Sequence, residues 1–133
     1  GSLDHLKNLT EPVDINFPEL ITIGSDAFRE SIIVPEVNLP RIETIGYSAF
    51  NKCTTLQKIT FGPYLKDIDS TVFNGCTSLN TIEFTGSIAP TFDNTAFSNI
   101  AAEGTLRIPI GTSESYSEII QTLPTWTVEE VDF

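Results

Sequence analysis

A repeat of about 23 residues constrains this chain more than any other feature of its sequence. Residues 45–61 read IGYSAFNKCTTLQKITF, and residues 68–84 read IDSTVFNGCTSLNTIEF. A fixed period of this length is typical of proteins built from stacked coils, in which each repeat buries its apolar face against its neighbours. The apolar positions that coincide at an offset of 23 are Ile45/Ile68, Phe50/Phe73, Cys53/Cys76, Leu56/Leu79, Ile59/Ile82 and Phe61/Phe84.

The repeat extends in both directions with small changes of period. Upstream, at an offset of 22, the same positions hold Ile23, Phe28, Ser31, Val34, Val37 and Leu39. Downstream, at an offset of 24, they hold Phe92, Phe97, Ile100, Leu106 and Ile108, with Glu103 at the position of Leu56. Single-residue changes of this kind are expected in surface loops.

A short apolar-x-apolar unit recurs once per repeat. Alternation places its two outer side chains in the core and its middle side chain in solvent. The units are too short to be stable alone, so we predict that they stack as parallel strands of one sheet. They are 15–17, 37–39, 59–61, 82–84 and 106–108.

The remainder of each repeat predicts a bend and one helical turn. Gly24 and Gly46 follow apolar residues where a tight bend would favour positive φ. Ser25, Ser48 and Ser70 are suited to capping a single helical turn. The turn would place a phenylalanine in the core of each coil, so we expect an internal stack of Phe28, Phe50, Phe73 and Phe97.

The two ends depart from the repeat, as the ends of a stack must. We divide one domain, 1–133, into an N-terminal partial coil (3–19), repeats (20–109) and a C-terminal cap (110–133). In the partial coil, Leu6 and Leu9 take the positions of Phe50 and Cys53. In the cap we expect a helix that begins near Thr112-Ser113-Glu114 and ends before Pro124, followed by a last strand between 126 and 133.

The assembled repeat resembles the BspA-like, or TpLRR-class, leucine-rich repeat. The resemblance rests on 65–68 (LKDI), 72–76 (VFNGC) and 79–84 (LNTIEF), and on an ending that runs from Ala89 through the turn at Gly111 to Trp126. It implies an α/β solenoid: a right-handed leucine-rich-repeat superhelix with short parallel strands, single helical turns and a C-terminal helical cap. It also implies a secreted or surface-attached bacterial protein with roles in adhesion and protein binding, and no catalytic residues.

The charge balance narrows the choice of partner. The net charge is −11, from 18 acidic and 7 basic residues. Nucleic acids and anionic lipids attract clustered lysine and arginine, so neither is an expected partner. No apolar run approaches the roughly 20 residues that cross a bilayer, so no membrane insertion of this chain is expected. Gly1-Ser2 resembles a remnant of tag removal, so we expect that a leader has been removed. The extracellular or cell-surface bacterial location is what the family resemblance implies.

The inventory of reactive side chains argues against an enzyme. His5 is the sole histidine, and nothing near it in the sequence would hold it beside a nucleophile. Cys53 and Cys76 sit at core positions, where we favour two buried free thiols, although one coil spacing would also accommodate a disulfide. The acidic turns at 67–69 and 93–94 are candidate calcium ligands, but we expect them to bond to their own backbone. No cofactor or metal is expected.

The candidate binding residues lie on the solvent face of the predicted sheet and in two loops. On the face they are Asn16, Asn38, Lys58, Thr60, Glu83 and Arg107, and in the loops Tyr47 and Tyr64. We expect a non-catalytic extracellular module that mediates protein–protein interaction or adhesion at a bacterial surface, with a host or bacterial protein as partner. The alternative is a structural spacer or self-association domain without a ligand of its own. A monomer is expected.

Overall fold

The computed structural model describes residues 2–3, 15–33 and 35–133. The predictions made for His5, Leu6, Leu9 and Val34 lie outside these residues. The elements, in chain order, are β1 (Ser2–Leu3), β2 (Ile15–Asn16), β3 (Thr22–Ile23), β4 (Glu36–Leu39), β5 (Thr44–Ile45), β6 (Lys58–Phe61), β7 (Asp67–Ile68), β8 (Thr81–Phe84), β9 (Thr91–Phe92), β10 (Thr105–Pro109), α1 (Ser117–Thr122) and β11 (Thr127–Val131).

The predicted sheet of short parallel strands is confirmed. Strands β4, β6, β8 and β10 contain the apolar-x-apolar units, and β2 contains the first two residues of its unit. Strand β11 adds a sixth strand, in the order β11-β10-β8-β6-β4-β2. Neighbouring strands pair in parallel at the repeat offset, so that Ile59 lies opposite Val37 on one side and Ile82 on the other. These inward side chains are buried, as the alternation predicts.

A second parallel sheet was not predicted. Its order is β1-β3-β5-β7-β9, and its strands contain two residues each. It contains the apolar residue that precedes the bend of each coil, for example Ile45, which lies opposite Ile23 and Ile68. The chain is therefore a parallel β-solenoid of about five turns with few helices.

The expected helical turn of each coil is replaced by two consecutive turns. In the first three coils each turn contains a residue with positive φ, such as Ser48 (55°) and Lys52 (59°), at matching positions, and in the fourth coil the second turn contains one, Asn99 (58°). The residues with positive φ direct every second N–H group of the turns towards the following coil. The N–H of Phe28 donates to the Ala49 carbonyl (2.8 Å), and that of Phe50 to the Val72 carbonyl (3.0 Å). A helical turn would have kept these bonds inside one coil, so the two turns connect the stack instead.

The predicted phenylalanine stack is present at the centre of the core. The ring centroids of Phe28 and Phe50 are 5.4 Å apart, those of Phe50 and Phe73 5.6 Å, and those of Phe73 and Phe97 5.8 Å. The ring planes differ by 14°, 9° and 9° in these pairs, which makes each pair stacked. Of the four rings, three are fully inaccessible and Phe97 is 6% exposed.

The prediction that Gly24 and Gly46 adopt positive φ was wrong. Among the described glycines, positive φ occurs at Gly75 and Gly111 and not at Gly24 or Gly46. A Cβ added to Gly46 would lie 2.8 Å from the backbone nitrogen of Ser25 in the preceding coil. Gly46 is therefore needed for the close approach of two coils rather than for an unusual dihedral angle.

The C-terminal segment contains the expected helix and strand, with a later helix start. Helix α1 begins at Ser117 rather than near Thr112, and it ends at Thr122, before Pro124. Tyr116, Ile119 and Trp126 are buried in the core cluster. Helix α1 lies between β10 and β11, where the repeat would otherwise place the strand of the second sheet that follows β9. Strand β11 pairs with β10 along its full length.

Candidate binding surface

One row of side chains crosses the solvent face of the six-stranded sheet. The repeat offset places each member directly opposite the next on the neighbouring strand. Most of the row is half-buried or exposed, as expected of the middle positions of the strand units. In order across the sheet the row is Asn16, Asn38, Thr60, Glu83, Arg107 and Glu129.

Glu83 is the fixed centre of this row. Only 6% of its surface is exposed, although it faces the solvent side of the sheet. The Thr60 hydroxyl donates to its Oε1 (2.8 Å), and the Lys58 ammonium lies 3.7 Å from the same oxygen. Its Oε2 forms an ion pair with the Arg107 guanidinium. A buried carboxylate requires such partners, because an unpaired one would lose its hydration without compensation.

Arg107 is held from both sides. Its Nε donates to Glu129 Oε1 (3.2 Å) while its terminal nitrogen contacts Glu83. Desolvation lowers the pKa of Arg107, but the hydrogen bonds and charges of Glu83 and Glu129 outweigh it and raise the pKa above its usual value. The guanidinium is thus a permanent cation whose orientation is set by two carboxylates.

Two grooves adjoin on this face. The first has a volume of about 410 Å³ and lies over Asn16, Asn38, Thr60 and Glu83. The second, of about 480 Å³, lies beyond the start of the strands, between Pro35 and Asn80. Lys58 and Glu36 line both. The surface offers amide, hydroxyl, carboxylate and ammonium groups in a fixed array, which suits recognition of a polar partner.

The structure brings the sheet-face residues together and leaves the two tyrosines apart. Asn16, Asn38, Lys58, Thr60 and Glu83 line one groove, and Arg107 contacts Glu83. Tyr64 is 57% exposed in the connection between β6 and β7, and Tyr47 is 49% exposed in the turns after β5. Neither tyrosine lines the sheet-face grooves.

Two further residues contribute to this face. Glu36 follows from the same alternation of the strand and lines both grooves, whereas Glu129, which orients Arg107, was missed from the sequence. The repeat offset contained the signal for the charged pair, because it places Arg107 opposite Glu83. The offset does not reveal that the neighbours of Glu83 would cover it almost completely.

The cysteines are free thiols and not a disulfide. Both are fully buried. Cys53 Sγ donates to the Phe28 carbonyl (2.9 Å), and Cys76 Sγ donates to the Phe50 carbonyl (2.9 Å). The neighbouring Cys53 thiol and burial together raise the pKa of Cys76 far above its usual value. A thiol held in this way is protonated and packs as a small hydrophobe.

Asp69 and Asp93 bond to backbone N–H groups of their own turns, as expected, whereas Asp67 Oδ1 accepts from the hydroxyl of Thr91 in the following coil (2.7 Å). Asp69 Oδ1 accepts from the Ser70 N–H (2.7 Å), and Asp93 Oδ1 accepts from the Thr95 N–H (2.9 Å) and hydroxyl (2.5 Å). These bonds from Thr95 lower the pKa of Asp93. Within residues 15–33 and 35–133, no three histidine, cysteine or acidic side chains are grouped as metal ligands.

The stacked coils and the continuous apolar core define a leucine-rich-repeat solenoid. The family model for the BspA type leucine-rich repeat region matches residues 5–122 with six copies of the repeat. The chain belongs to this family. No curated protein matches the chain.

Family membership carries general expectations about function. BspA-type repeats form modules that are often involved in protein interaction or adhesion, and their solenoid is typically non-catalytic. The family is associated with bacterial surface proteins. In the described part of the chain, no helix is both long and apolar enough to cross a bilayer.

Proposed function

We propose that this chain is a non-catalytic, extracellular module that binds a host or bacterial surface protein through its six-stranded sheet. The observation that supports the proposal best is the fixed charged centre of the solvent-facing row. Because Thr60, Lys58 and Arg107 hold Glu83 in place, the surface around it is ordered before a partner arrives. Binding to an ordered surface costs less conformational entropy than binding to a mobile one.

The finer features of the assembly belong to the same proposal. The solenoid is a right-handed α/β superhelix of one domain, 1–133, and residues 110–133 cap its last coil. Burial of Tyr116, Ile119 and Trp126 supports the cap, because these side chains cover the apolar end of the coil before it. The sheet face binds its partner at the bacterial surface.

Binding assays with matched variants test the role of the sheet face. The immobilised chain is exposed to purified host matrix proteins and to a bacterial surface extract. Asn16→Arg combined with Asn38→Arg fills the 410 Å³ groove with bulk and charge. The control combines Gln121→Arg with Asn94→Arg, two exposed positions away from the sheet face. Any partner bound by the wild type is expected to bind the control and not the groove variant. Equal binding to the groove variant and the control would contradict the proposal.

The chain acts as a monomer in this proposal, and Glu130 supports that state. Glu130 lies opposite the buried Ile108 in the β10–β11 register, at an inward position of the last strand. Its Oε1 accepts from the Gly111 N–H (2.8 Å). A charge at an inward position of an edge strand disfavours the addition of another coil.

Light scattering distinguishes this monomer from the self-associating spacer. The wild type is expected to have the mass of one chain, 14.6 kDa, at every concentration tested. Glu130→Leu is expected to increase the mean mass, and Glu118→Leu on α1 is not. A wild-type mass that rises with concentration would favour self-association.

A further inference from the structure

A third groove lies between the two sheets, away from the six-stranded face. It has a volume of about 460 Å³ and crosses three successive connections from the first sheet to the second. Its rim contains two of the most exposed apolar side chains of the described part, Tyr64 (57%) and Ile88 (79%). The groove is lined by Glu43, Pro63, Tyr64, Leu65, Lys66, Ile88, Ala89 and Thr91. We call it the connection groove.

Most of the connection groove is apolar and electrically neutral. Its two charged residues neutralise each other, because Lys66 Nζ lies 3.0 Å from Glu43 Oε1. Pro63, Leu65 and Ala89 supply apolar surface between Tyr64 and Ile88. The groove therefore presents a slot for an apolar side chain, with an aromatic ring on one rim and a branched aliphatic side chain on the other.

Two carboxylates that form no ion pair within the described part of the chain, those of Asp67 and Glu114, lie near the groove. Asp67 Oδ1 accepts from the hydroxyl of Thr91, a lining residue (2.7 Å), so this carboxylate stands at the rim. Glu114 is adjacent in sequence to Ser115, whose hydroxyl accepts from the N–H of the lining residue Ala89 (3.0 Å). Asp67 and Glu114 are both exposed, and neither forms an ion pair with a lysine or arginine of the described part.

The distribution of positive charge accentuates this acidity. Each lysine and arginine between residues 15 and 133 lies within 4 Å of a carboxylate. The net charge of −11 therefore comes from two groups of carboxylates. One group lies between residues 15 and 133 without a lysine or arginine beside it, and the other belongs to the rest of the chain. A partner with free positive charge would be attracted to the carboxylates of Asp67 and Glu114 at the groove, because no lysine or arginine of the described part pairs with them.

We propose that the connection groove docks a basic segment of another protein, with an apolar side chain between Tyr64 and Ile88 and lysine or arginine beside Asp67 and Glu114. A second copy of this chain is a poor occupant, because its own excess of negative charge would face the same carboxylates. The inference goes beyond the proposed function, since it assigns a different surface and a defined partner chemistry.

Chemical-shift mapping with two end-blocked peptides tests the proposal. The peptides KLKLK and ELELE share length and apolar content and differ only in charge. The cationic peptide is expected to shift the backbone amides of Tyr64, Ile88 and Thr91, and the anionic peptide is not. Raising the salt concentration from about 50 mM to about 500 mM should weaken the binding, because exposed charges are screened over shorter distances.

Matched variants separate anchoring from a general loss of structure. Tyr64→Ser and Ile88→Ser are each expected to weaken binding of the cationic peptide about tenfold, as expected for loss of an interface anchor. Tyr47→Ser and Ile32→Ser remove exposed side chains of the same types outside the groove and should leave the affinity unchanged. All four positions are solvent-exposed, so unchanged thermal melting is expected and verifies the fold.

Three results would overturn the inference. These are equal shifts with both peptides, unchanged affinity of Tyr64→Ser and Ile88→Ser, or shifts confined to Asn16, Asn38 and Lys58. The last result would leave the sheet face as the binding surface. The failure of the connection groove is therefore distinguishable from failure of the proposed function.

Discussion

Glu83 and Arg107 lie directly opposite each other on β8 and β10 and form an ion pair on the solvent side of the sheet. The pair is unequally covered, since the side chain of Glu83 is 7% exposed and that of Arg107 is 29% exposed. Arg107 thus covers the carboxylate while remaining accessible itself. Its removal would leave Glu83 buried with Lys58 and Thr60 as its remaining partners.

Arg107→Met should show how strongly this buried carboxylate depends on its cation. We expect the free energy of unfolding to fall by about 1–3 kcal/mol, the range for a lost hydrogen bond to a buried charged group. The control is Arg41→Met, because Arg41 and Glu19 are 3.7 Å apart with side chains 60% and 82% exposed. That pair should contribute less than about 0.5 kcal/mol. Urea unfolding of both variants measures the difference, and equal losses would contradict the role assigned to burial.

Phe50→Ala should disrupt the centre of the phenylalanine stack. The Phe50 ring is fully buried between Phe28 and Phe73, so the substitution leaves a cavity that the neighbouring coils cannot close. We expect the free energy of unfolding to fall by about 3–5 kcal/mol. Phe50→Leu keeps most of the volume and should cost clearly less. A nearly neutral Phe50→Ala variant, measured by chemical denaturation, would exclude the stack as a main source of stability.

Gly62→Ala should reveal the close contact between adjacent coils. An added Cβ would lie 1.8 Å from the Pro40 carbonyl oxygen, which belongs to the backbone and cannot rotate away. We expect a loss of about 3 kcal/mol or more, because the coils must separate to accommodate the methyl group. Gly111→Ala is the control: Gly111 has φ of 82° but no atom within 4 Å of an added Cβ. In that variant the free energy of unfolding should fall only by the cost of placing alanine at positive φ, about 1 kcal/mol. Thermal unfolding that ranks the two variants in the opposite order would contradict the assignment.

Tyr116 should make stability fall at alkaline pH. Burial raises the pKa of Tyr116 from 10.0 to about 12. The folded state therefore retains the phenolic proton when the unfolded state has lost it. The resulting stability is fully present below pH 10 and is lost as the pH rises towards 12.

Tyr116→Phe provides the comparison for this pH dependence. The variant loses the bond from the Tyr116 hydroxyl to the Gly86 carbonyl (2.6 Å), which should cost about 1 kcal/mol at pH 7. Because phenylalanine does not titrate, the stability advantage of the wild type should shrink between pH 10 and 12. Urea unfolding at several pH values measures it, and an advantage that stays constant would exclude titration of Tyr116 as the cause.

The strongly periodic parts of the fold were predictable from the sequence. Ile59 and Phe61 recur as Ile82 and Phe84, and the alternation around them predicted the strands, their parallel stacking and the buried phenylalanines. These features are predictable because each of these side chains must enter the core in every coil. The outward row followed from the same alternation, so the sheet face itself was also predictable.

Features that depend on contacts between coils were not predictable in the same way. Strand β5 contains only Thr44 and Ile45, and two residues cannot display an alternation. A lysine does not indicate positive φ in the sequence, yet Lys52 has it. This conformation is stabilised by the hydrogen bond from the Lys52 N–H to the Asn74 carbonyl (2.7 Å) in the next coil. The burial of Glu83 likewise depends on neighbours that lie 23 or more residues away in sequence.

The paired turns of each coil give the stack an electrical direction. Their backbone bonds between coils run the same way, from an N–H to a carbonyl of the following coil, as from Asp26 to Tyr47, from Lys52 to Asn74 and from Gly75 to Ser98. Peptide dipoles aligned head to tail add together, as they do along the axis of an α-helix. Here the sum runs across the coils rather than along the chain. The turn side of the solenoid is therefore a macrodipole with its positive pole at the C-terminal end of the stack.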